Sequence, residues 1–328
     1  MCDETAPIGP MEDEKDNHMP RVKMDFVGEY AGDLRARLQA EGYAVPVEQD
    51  PEQVCRLYLN FLRRRVPPVP RKVFVASEFS CPQDLQAGLD VVRGKIESGQ
   101  DLSAHLSSRL KTLEYHDMLL NDWDIHHLHL GPVLKQDGYV ERTKFVLFVR
   151  FLLASAYLIA VLPHGRGVHA PDPWGRQELL RIIHRNWPES IAAFRCNGVR
   201  LVEPPTDEQI HQARHIKIEG EKREAALTYF VEVDDVVYAP IGGGSASSQM
   251  SCDVVTECDR IFDALQEYED LVRQSVPGII VEAKARGLTV GDELSFNLRP
   301  WSGDTVVAVE QSTKMVFPVA LRIDRATF

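Results

Sequence analysis

A chain of 328 residues is long enough for two or three domains, each able to bury a hydrophobic core of its own. Its net charge of -12 argues against a protein whose whole surface binds nucleic acid, although an acidic body can still carry a local basic site. The six cysteines form neither a C-x-x-C pair nor a zinc-finger spacing, which predicts a reduced, cytoplasmic protein with free thiols.

The N-terminal part of the chain is predicted to be mostly helical. Residues 1–20 are polar and acidic, and we expect a disordered tail there without a secretory signal. Residues 21–120 are expected to form a mainly helical region, in which Pro51 suits the first turn of a helix. The elements predicted in this region are helices over Phe26–Ala44, Asp50–Arg65, Pro82–Ser98 and Ser103–Leu120, and a short strand over Lys72–Val75.

Residues 121–203 are predicted to form a central antiparallel sheet with flanking helices. Within them, Phe145–Leu162 is apolar apart from Arg150. A membrane-spanning helix needs about 20 apolar residues and tolerates a central arginine poorly. The small residues Ala154–Ala156 favour two buried strands joined by a tight turn, so we expect no membrane span. A loop over Gly165–Gly175 and a helix over Arg176–Trp187 are expected to follow.

Three histidines, His126, His127 and His129, fall within four positions of a predicted strand. Side chains alternate along a strand, so His127 and His129 share one face and His126 points to the other. Two imidazoles on one face can do acid–base chemistry or bind a transition metal. Asp122 and Asp124, just upstream, could orient a ring or add a ligand.

Further polar residues border the two apolar strands. Arg142 and Lys144 precede the first strand, and His164 follows the second. Antiparallel pairing could bring His129, Arg142 and His164 within reach of one another. Cleaving a phosphodiester without a metal needs a base, an acid and cations, and histidine and arginine supply all three. We therefore predict catalytic roles for His127, His129, Arg142 and His164, supported by Asp122, Asp124, His126 and Lys144.

The order of these features carries a resemblance. Arg142 stands ahead of the apolar strand Phe145–Phe151, a second apolar strand covers Tyr157–Leu162, and His164-Gly165-Arg166 follows. In this respect residues 121–166 resemble the RelE/ParE-like bacterial ribonuclease toxins. The resemblance implies a two-helix start, a curved sheet and cleavage of RNA, with Arg142 and His164 at the matching positions.

Three interpretations of the histidines stay open. The leading one is metal-free cleavage of RNA by a toxin or phage-defence effector, with RNA as substrate and a protein inhibitor or other protein as partner. The second is a hydrolase that binds a divalent transition metal through His127 and His129, with His164 or Asp124 as third ligand. In the third, the histidines only complete hydrogen bonds at a sheet edge, and the chain is a non-catalytic binding or regulatory protein acting through its C-terminal domain.

Pro204-Pro205 predicts a domain boundary, beyond which residues 206–328 are expected to form a C-terminal α+β domain. A glycine-rich loop between a strand and a helix could hold a phosphate through the backbone amides of Gly242, Gly243, Gly244 and Ser245. The loop matches neither G-x-x-x-x-G-K-[ST] nor G-x-G-x-x-G, so a flexible connection is the alternative.

The whole chain is predicted to have an α+β fold. Its parts are a helical N-terminal region, a central antiparallel sheet and the C-terminal α+β domain. The elements predicted in the last part are a helix over Asp207–Arg214, strands over Ala226–Val233 and Val236–Ala239, a long helix from Ser251, and strands near Leu294–Leu298, Val306–Val309 and Val316–Leu321.

Overall fold

The computed structural model describes residues 19–164, 177–218, 221–224, 229–300, 302 and 305–323. These residues form a mixed α+β fold, which confirms the predicted fold class. The chain divides into two compact units. One contains the described residues up to Tyr30 and from Asp263 onward, and the other contains Ala31–Phe262. The boundary predicted at Pro204-Pro205 falls inside the second unit, where the side chain of Gln177 donates to the carbonyl oxygen of Pro205.

The helices and strands have the following bounds. The α-helices are α1 (Phe26–Ala40), α2 (Pro51–Arg63), α3 (Gln86–Ser98), α4 (Met118–Trp123), α5 (Gln177–Asn186), α6 (Asp207–Arg214) and α7 (Cys252–Ala285). Short 3-10 helices cover Gln83–Leu85, Ser103–His105, Ser108–Lys111 and Pro188–Phe194. The strands are β1 (Arg21–Lys23), β2 (Lys72–Val75), β3 (His126–His129), β4 (Phe145–Phe151), β5 (Ser155–Pro163), β6 (His215–Ile218), β7 (Glu221–Glu224), β8 (Val231–Val233), β9 (Val236–Tyr238), β10 (Glu293–Pro300), β11 (Thr305–Glu310) and β12 (Leu321–Arg322).

Local sequence signals account for the ends of α2 and α3. The side chain of Asp50 accepts a hydrogen bond from the amide of Gln53, and Pro51 occupies the first turn of α2, as predicted. Gly99 ends α3 in the left-handed conformation, with φ 71°.

The single helix predicted over Ser103–Leu120 is wrong. Two 3-10 helices and the start of α4 occupy this stretch instead. The hydroxyl of Ser107 accepts from the amide of Arg109, and the carboxylate of Asp117 accepts from the amide of Leu120. Side chains that bond to nearby amides begin new turns rather than continue a helix, which explains the interruption.

The central sheet has the strand order β2-β5-β4-β3. The pairs β3–β4 and β4–β5 are antiparallel, as predicted, whereas β2 pairs with β5 in parallel. The apolar stretch Phe145–Leu162 therefore forms two buried strands of one sheet. In the part of the chain that the structure describes, no helix is long and apolar enough to cross a membrane.

Both faces of this sheet are buried. On one face Leu128, Leu147 and Val149 belong to the same core as residues of α3. On the other face Val146 and Phe148 belong to a core that includes residues of α5. Burying one such side chain contributes roughly 1.5–3 kcal/mol, so both cores hold the sheet in place. The α3 residues are Leu89, Val92 and Ile96, and the α5 residues are Leu179, Leu180, Ile182 and Ile183.

The β8–β9 hairpin turns at Asp234 and Asp235, as predicted, and both have positive φ (48° and 62°), which suits a tight hairpin. The strand predicted near Val316–Leu321 forms only in part, because Val316 makes an isolated antiparallel bridge to Val309 and the strand β12 begins at Leu321. The hairpin β6–β7 and strand β1 were not predicted. The loop predicted over Gly165–Gly175 lies outside the described residues.

The unit that contains β1 and β10–β12 is organised around Tyr268 of α7. The Tyr268 hydroxyl accepts from the amide of Ala308 and donates to the carbonyl oxygen of Val319. The cysteines in the described part of the chain are free thiols, as predicted: Cys55, Cys81, Cys196, Cys252 and Cys258.

Candidate functional site

The register of the central sheet brings three of the predicted site residues to one face. His129 of β3 pairs with Val146 of β4, and Val146 pairs with Leu162 of β5. Residues opposite each other in an antiparallel pair share a face, and so do residues two apart along a strand. His127, two residues before His129, and His164, two residues after Leu162, therefore belong to that same face.

The imidazole rings of His127, His129 and His164 form what we call the histidine cluster. The ring centroids of His127 and His129 are 6.2 Å apart, and those of His127 and His164 are 5.3 Å apart. His129 and His164 are stacked at 5.2 Å. The amide of His164 donates to the carbonyl oxygen of Lys144 (2.8 Å), which fixes the chain beyond β5 beside the segment that leads into β4.

Burial keeps His127 and His129 neutral. His129 is 2% exposed, and within the described residues neither of its ring nitrogens has a hydrogen-bond partner. Burial, together with the charges of His127, His164 and Arg142, lowers the pKa of His129 to about 3. Burial also lowers the pKa of His127. At neutral pH His127 and His129 are therefore uncharged.

Cations border the cluster. The side chain of Arg142 is exposed, and within the described residues no carboxylate lies within ion-pair distance of it. Arg142 and Arg109 both lower the pKa of His127, which places their charges close to it. Lys144 is exposed in the segment that leads into β4, and its ammonium group lies 5.9 Å from the ring centre of Phe145. The arrangement suits an anion, because it offers positive charge beside uncharged hydrogen-bonding groups.

Three polar residues near the cluster were not predicted from the sequence. A carboxylate oxygen of Asp117 lies 3.8 Å from Nδ1 of His127. Nδ1 of His105 lies 2.9 Å from the carbonyl oxygen of His129, where it holds the end of β3. Arg109 stands over the ring of Tyr115 (4.9 Å). All three come from the stretch misjudged as one helix. The signal that could have found Asp117 is its position as the N-cap of a short apolar helix.

His126 lies on the opposite face of β3, away from the cluster, as the alternation predicts. Its ring packs edge-on against Phe151, with centroids 5.5 Å apart. Within the described residues its ring nitrogens are buried and have no hydrogen-bond partner. Burial, with smaller contributions from neighbouring charges, lowers the pKa of His126 to about 3. These contacts are those of a packed side chain, and a supporting role in chemistry stays a prediction.

The two predicted aspartates have other partners. Asp124 ends α4 with φ 56°, and its carboxylate lies 3.2 Å from the guanidinium of Arg150. Arg150 is buried and also donates to the carbonyl oxygen of Ser190, so Asp124 balances a buried charge. Asp122 is buried in α4, and its carbonyl oxygen accepts from the amide of Gly242. Neither contact orients a histidine ring.

The glycine-rich loop packs against α4. The amides of Gly242 and Gly244 donate to the carbonyl oxygens of Asp122 and Asn121, and the amide of Gly243 donates within the loop. The hydroxyl of Ser245 is buried, within hydrogen-bond distance of Asn121. These amides are engaged inside the protein, so phosphate binding by the loop stays a prediction that its hydrogen bonds do not favour.

Two further findings bear on the chemistry of the site. In the described part of the chain, no group of three or more His, Cys, Asp or Glu side chains is arranged to hold a metal ion. Comparison of the chain with models of protein families, with curated proteins and with solved structures finds no match. The function must therefore be argued from the residues of the site.

Proposed function

We propose that the protein cleaves RNA at the histidine cluster by metal-free acid–base chemistry. The observation that carries the proposal is the convergence of three imidazoles, within 6.2 Å of one another, beside the exposed Arg142. The resemblance of Arg142 and His164 to positions in RelE/ParE-like toxins supports the same activity. It also supports a role as a toxin or phage-defence effector that a protein inhibitor would restrain.

The proposed step needs no nucleophile from the protein. One imidazole takes the proton of the 2′-hydroxyl, whose oxygen attacks the adjacent phosphorus. The bond from phosphorus to the 5′ oxygen breaks, and a protonated imidazole gives its proton to that oxygen. The products are a 2′,3′-cyclic phosphate and a 5′-hydroxyl. Arg142 offsets the negative charge that develops on the phosphate oxygens.

The neutral state of His127 and His129 is compatible with this step. A phosphate group beside His127, His129 and His164 is an opposite charge, and an opposite charge within a few Å raises the pKa of a histidine. Substrate binding would therefore bring one proton into the cluster at the moment when an acid is needed. Until substrate arrives, His127 and His129 would remain neutral.

An RNA-cleavage assay tests the proposal. We expect His129→Ala, His164→Ala and Arg142→Ala each to lower cleavage by about 10²–10⁴-fold, the usual effect of removing an acid–base group or an electrostatic stabiliser. Arg93→Ala is a matched control, because Arg93 is an exposed arginine that pairs with Glu97 on α3. It should leave cleavage unchanged. Circular dichroism spectra should show that all four variants are folded.

The outcome with a chelator separates the interpretations. Unchanged cleavage by the wild type after metal removal, with loss in His129→Ala, supports the proposal. Loss of cleavage on chelation overturns the metal-free step and favours the hydrolase that uses a transition metal. If the wild type cuts no RNA, the proposal fails and the non-catalytic binding protein becomes the better account.

A further inference from the structure

Asp117 is held in place by the helix that it starts. One carboxylate oxygen accepts a hydrogen bond from the amide of Leu120 (3.2 Å), so that Asp117 is the N-cap of α4. The N-cap position fixes the side chain, because the oxygen must stay over the first turn to satisfy an otherwise unpaired amide. The orientation of the second carboxylate oxygen is therefore fixed as well.

The second carboxylate oxygen of Asp117 is oriented toward the histidine cluster. The second oxygen lies 3.8 Å from Nδ1 of His127, and both side chains are largely buried, 13% and 6% exposed. A charge at this distance acts strongly where water is largely excluded. Contacts of catalytic groups are often long in a site without substrate and shorten when substrate binds.

We propose that Asp117 is a positioning residue for the RNA-cleavage reaction: it holds His127 with its Nδ1 proton toward the carboxylate and leaves Nε2 to face the substrate. The inference rests on the proposed function and assigns the roles of general acid and general base within it. A carboxylate behind an imidazole fixes the tautomer and stabilises the imidazolium form, so His127 becomes the general acid.

The charges around His127 support this assignment. The groups that face it are His129 from its own strand, His164 beyond β5, Arg142 ahead of β4, Arg109 from a 3-10 helix, Asp117 at the start of α4, and Arg64 and Tyr115, which line the same pocket. Among them, Asp117 carries a negative charge. Burial lowers the pKa of His127, and Asp117 is the neighbour that raises it again. Burial and each neighbouring charge that acts on His129 lower its pKa, so His129 suits the neutral base.

The test is Asp117→Asn, because asparagine caps a helix about as well as aspartate and removes only the charge. Asp50→Asn is the matched control, since Asp50 caps α2 through the same kind of hydrogen bond. We expect Asp117→Asn to lower kcat by at least 10-fold with KM little changed, and to move the pH profile of kcat to lower pH. Asp50→Asn should match the wild type in both.

A titration followed by NMR gives a readout that does not need activity. In Asp117→Asn the pKa of His127 should fall and its ring should lose the single tautomer with the proton on Nδ1, whereas His129 should titrate as before. If His127 titrates identically in the two proteins, the inference is wrong even if RNA is cut. If the wild type cuts no RNA but the shift is present, the proposed function fails while the Asp117–His127 contact stands, without a catalytic role.

Discussion

At the scale of single residues, the surroundings of the ring nitrogens determine how much free energy the histidines of β3 cost. His126 and His129 carry ring nitrogens that are buried without a hydrogen-bond partner among the described residues. Leaving a buried polar atom unpaired costs about 1–3 kcal/mol, and protonating it there costs more. Two such residues on one strand of four residues are a cost that a purely structural strand would avoid, which agrees with a functional site.

This arrangement predicts a loss of stability in acid. The pKa of His126 is about 3 in the folded protein and 6.5 in a free side chain, so the unfolded chain binds the proton more readily. The stabilising contribution is fully present above pH 6.5 and is lost as the pH falls from 6.5 toward 3. At pH 5 the loss from this one residue is about 2 kcal/mol.

The variant His126→Leu should remove this dependence. Leucine keeps the apolar packing against Phe151 and cannot bind a proton. Urea unfolding at pH 7.5 and pH 5.0 should show that the variant loses about 2 kcal/mol less than the wild type. The carboxylates titrate alike in both proteins, so they cancel in the comparison. Equal losses in the two proteins would show that His126 is not held in its neutral form.

At the scale of elements, the site depends on how tightly α4 is packed, because α4 begins at Asp117. The buried Arg63 at the end of α2 donates to the carbonyl oxygens of Leu120 and Gly242, which joins α2, α4 and the glycine-rich loop. A Cβ atom at Gly242 would lie 2.3 Å from the carbonyl oxygen of Leu120. Glycine is therefore needed there for a close backbone approach, which is a role different from phosphate binding.

Two glycine substitutions test this role. Gly242→Ala should destabilise the protein by about 3 kcal/mol, because backbone atoms of α4 cannot move aside cheaply. Gly94→Ala is the matched control: Gly94 lies in α3, and a Cβ there meets nothing within 4 Å. It should stabilise by about 0.5–1 kcal/mol, the usual gain of alanine over glycine inside a helix. Similar free energies of unfolding for the two variants would contradict the packing described here.

Sequence patterns predict the elements at this scale unevenly. The strands β4 and β5 and the shared face of His127 and His129 were predictable, because apolar runs and side-chain alternation are local signals. The parallel pairing of β2 with β5 was not, because a contact between distant segments leaves no local pattern. Asp117 was missed for a related reason. Its capping bond is local, but its approach to His127 depends on how α4 packs beside β3.

At the scale of the whole molecule, the acidic chain and the cationic site work in opposite directions. A net charge of -12 repels RNA at long range, whereas Arg142, Arg109 and Lys144 attract phosphate at short range. Such a protein should bind RNA weakly and release it quickly, unless a small region of the substrate fits the site. This expectation suits an enzyme that acts at single positions better than a protein that coats RNA.

The central claim is that the substrate's own 2′-hydroxyl is the nucleophile, and the ends of the products test it most directly. We would incubate metal-depleted protein with an RNA oligonucleotide and with the same sequence as DNA, and identify the new termini by mass spectrometry. We predict a 2′,3′-cyclic phosphate and a 5′-hydroxyl from RNA, and no cleavage of DNA. Cleavage of DNA, or a 3′-hydroxyl with a 5′-phosphate, would contradict it, because either result requires an attacking group other than the 2′-hydroxyl.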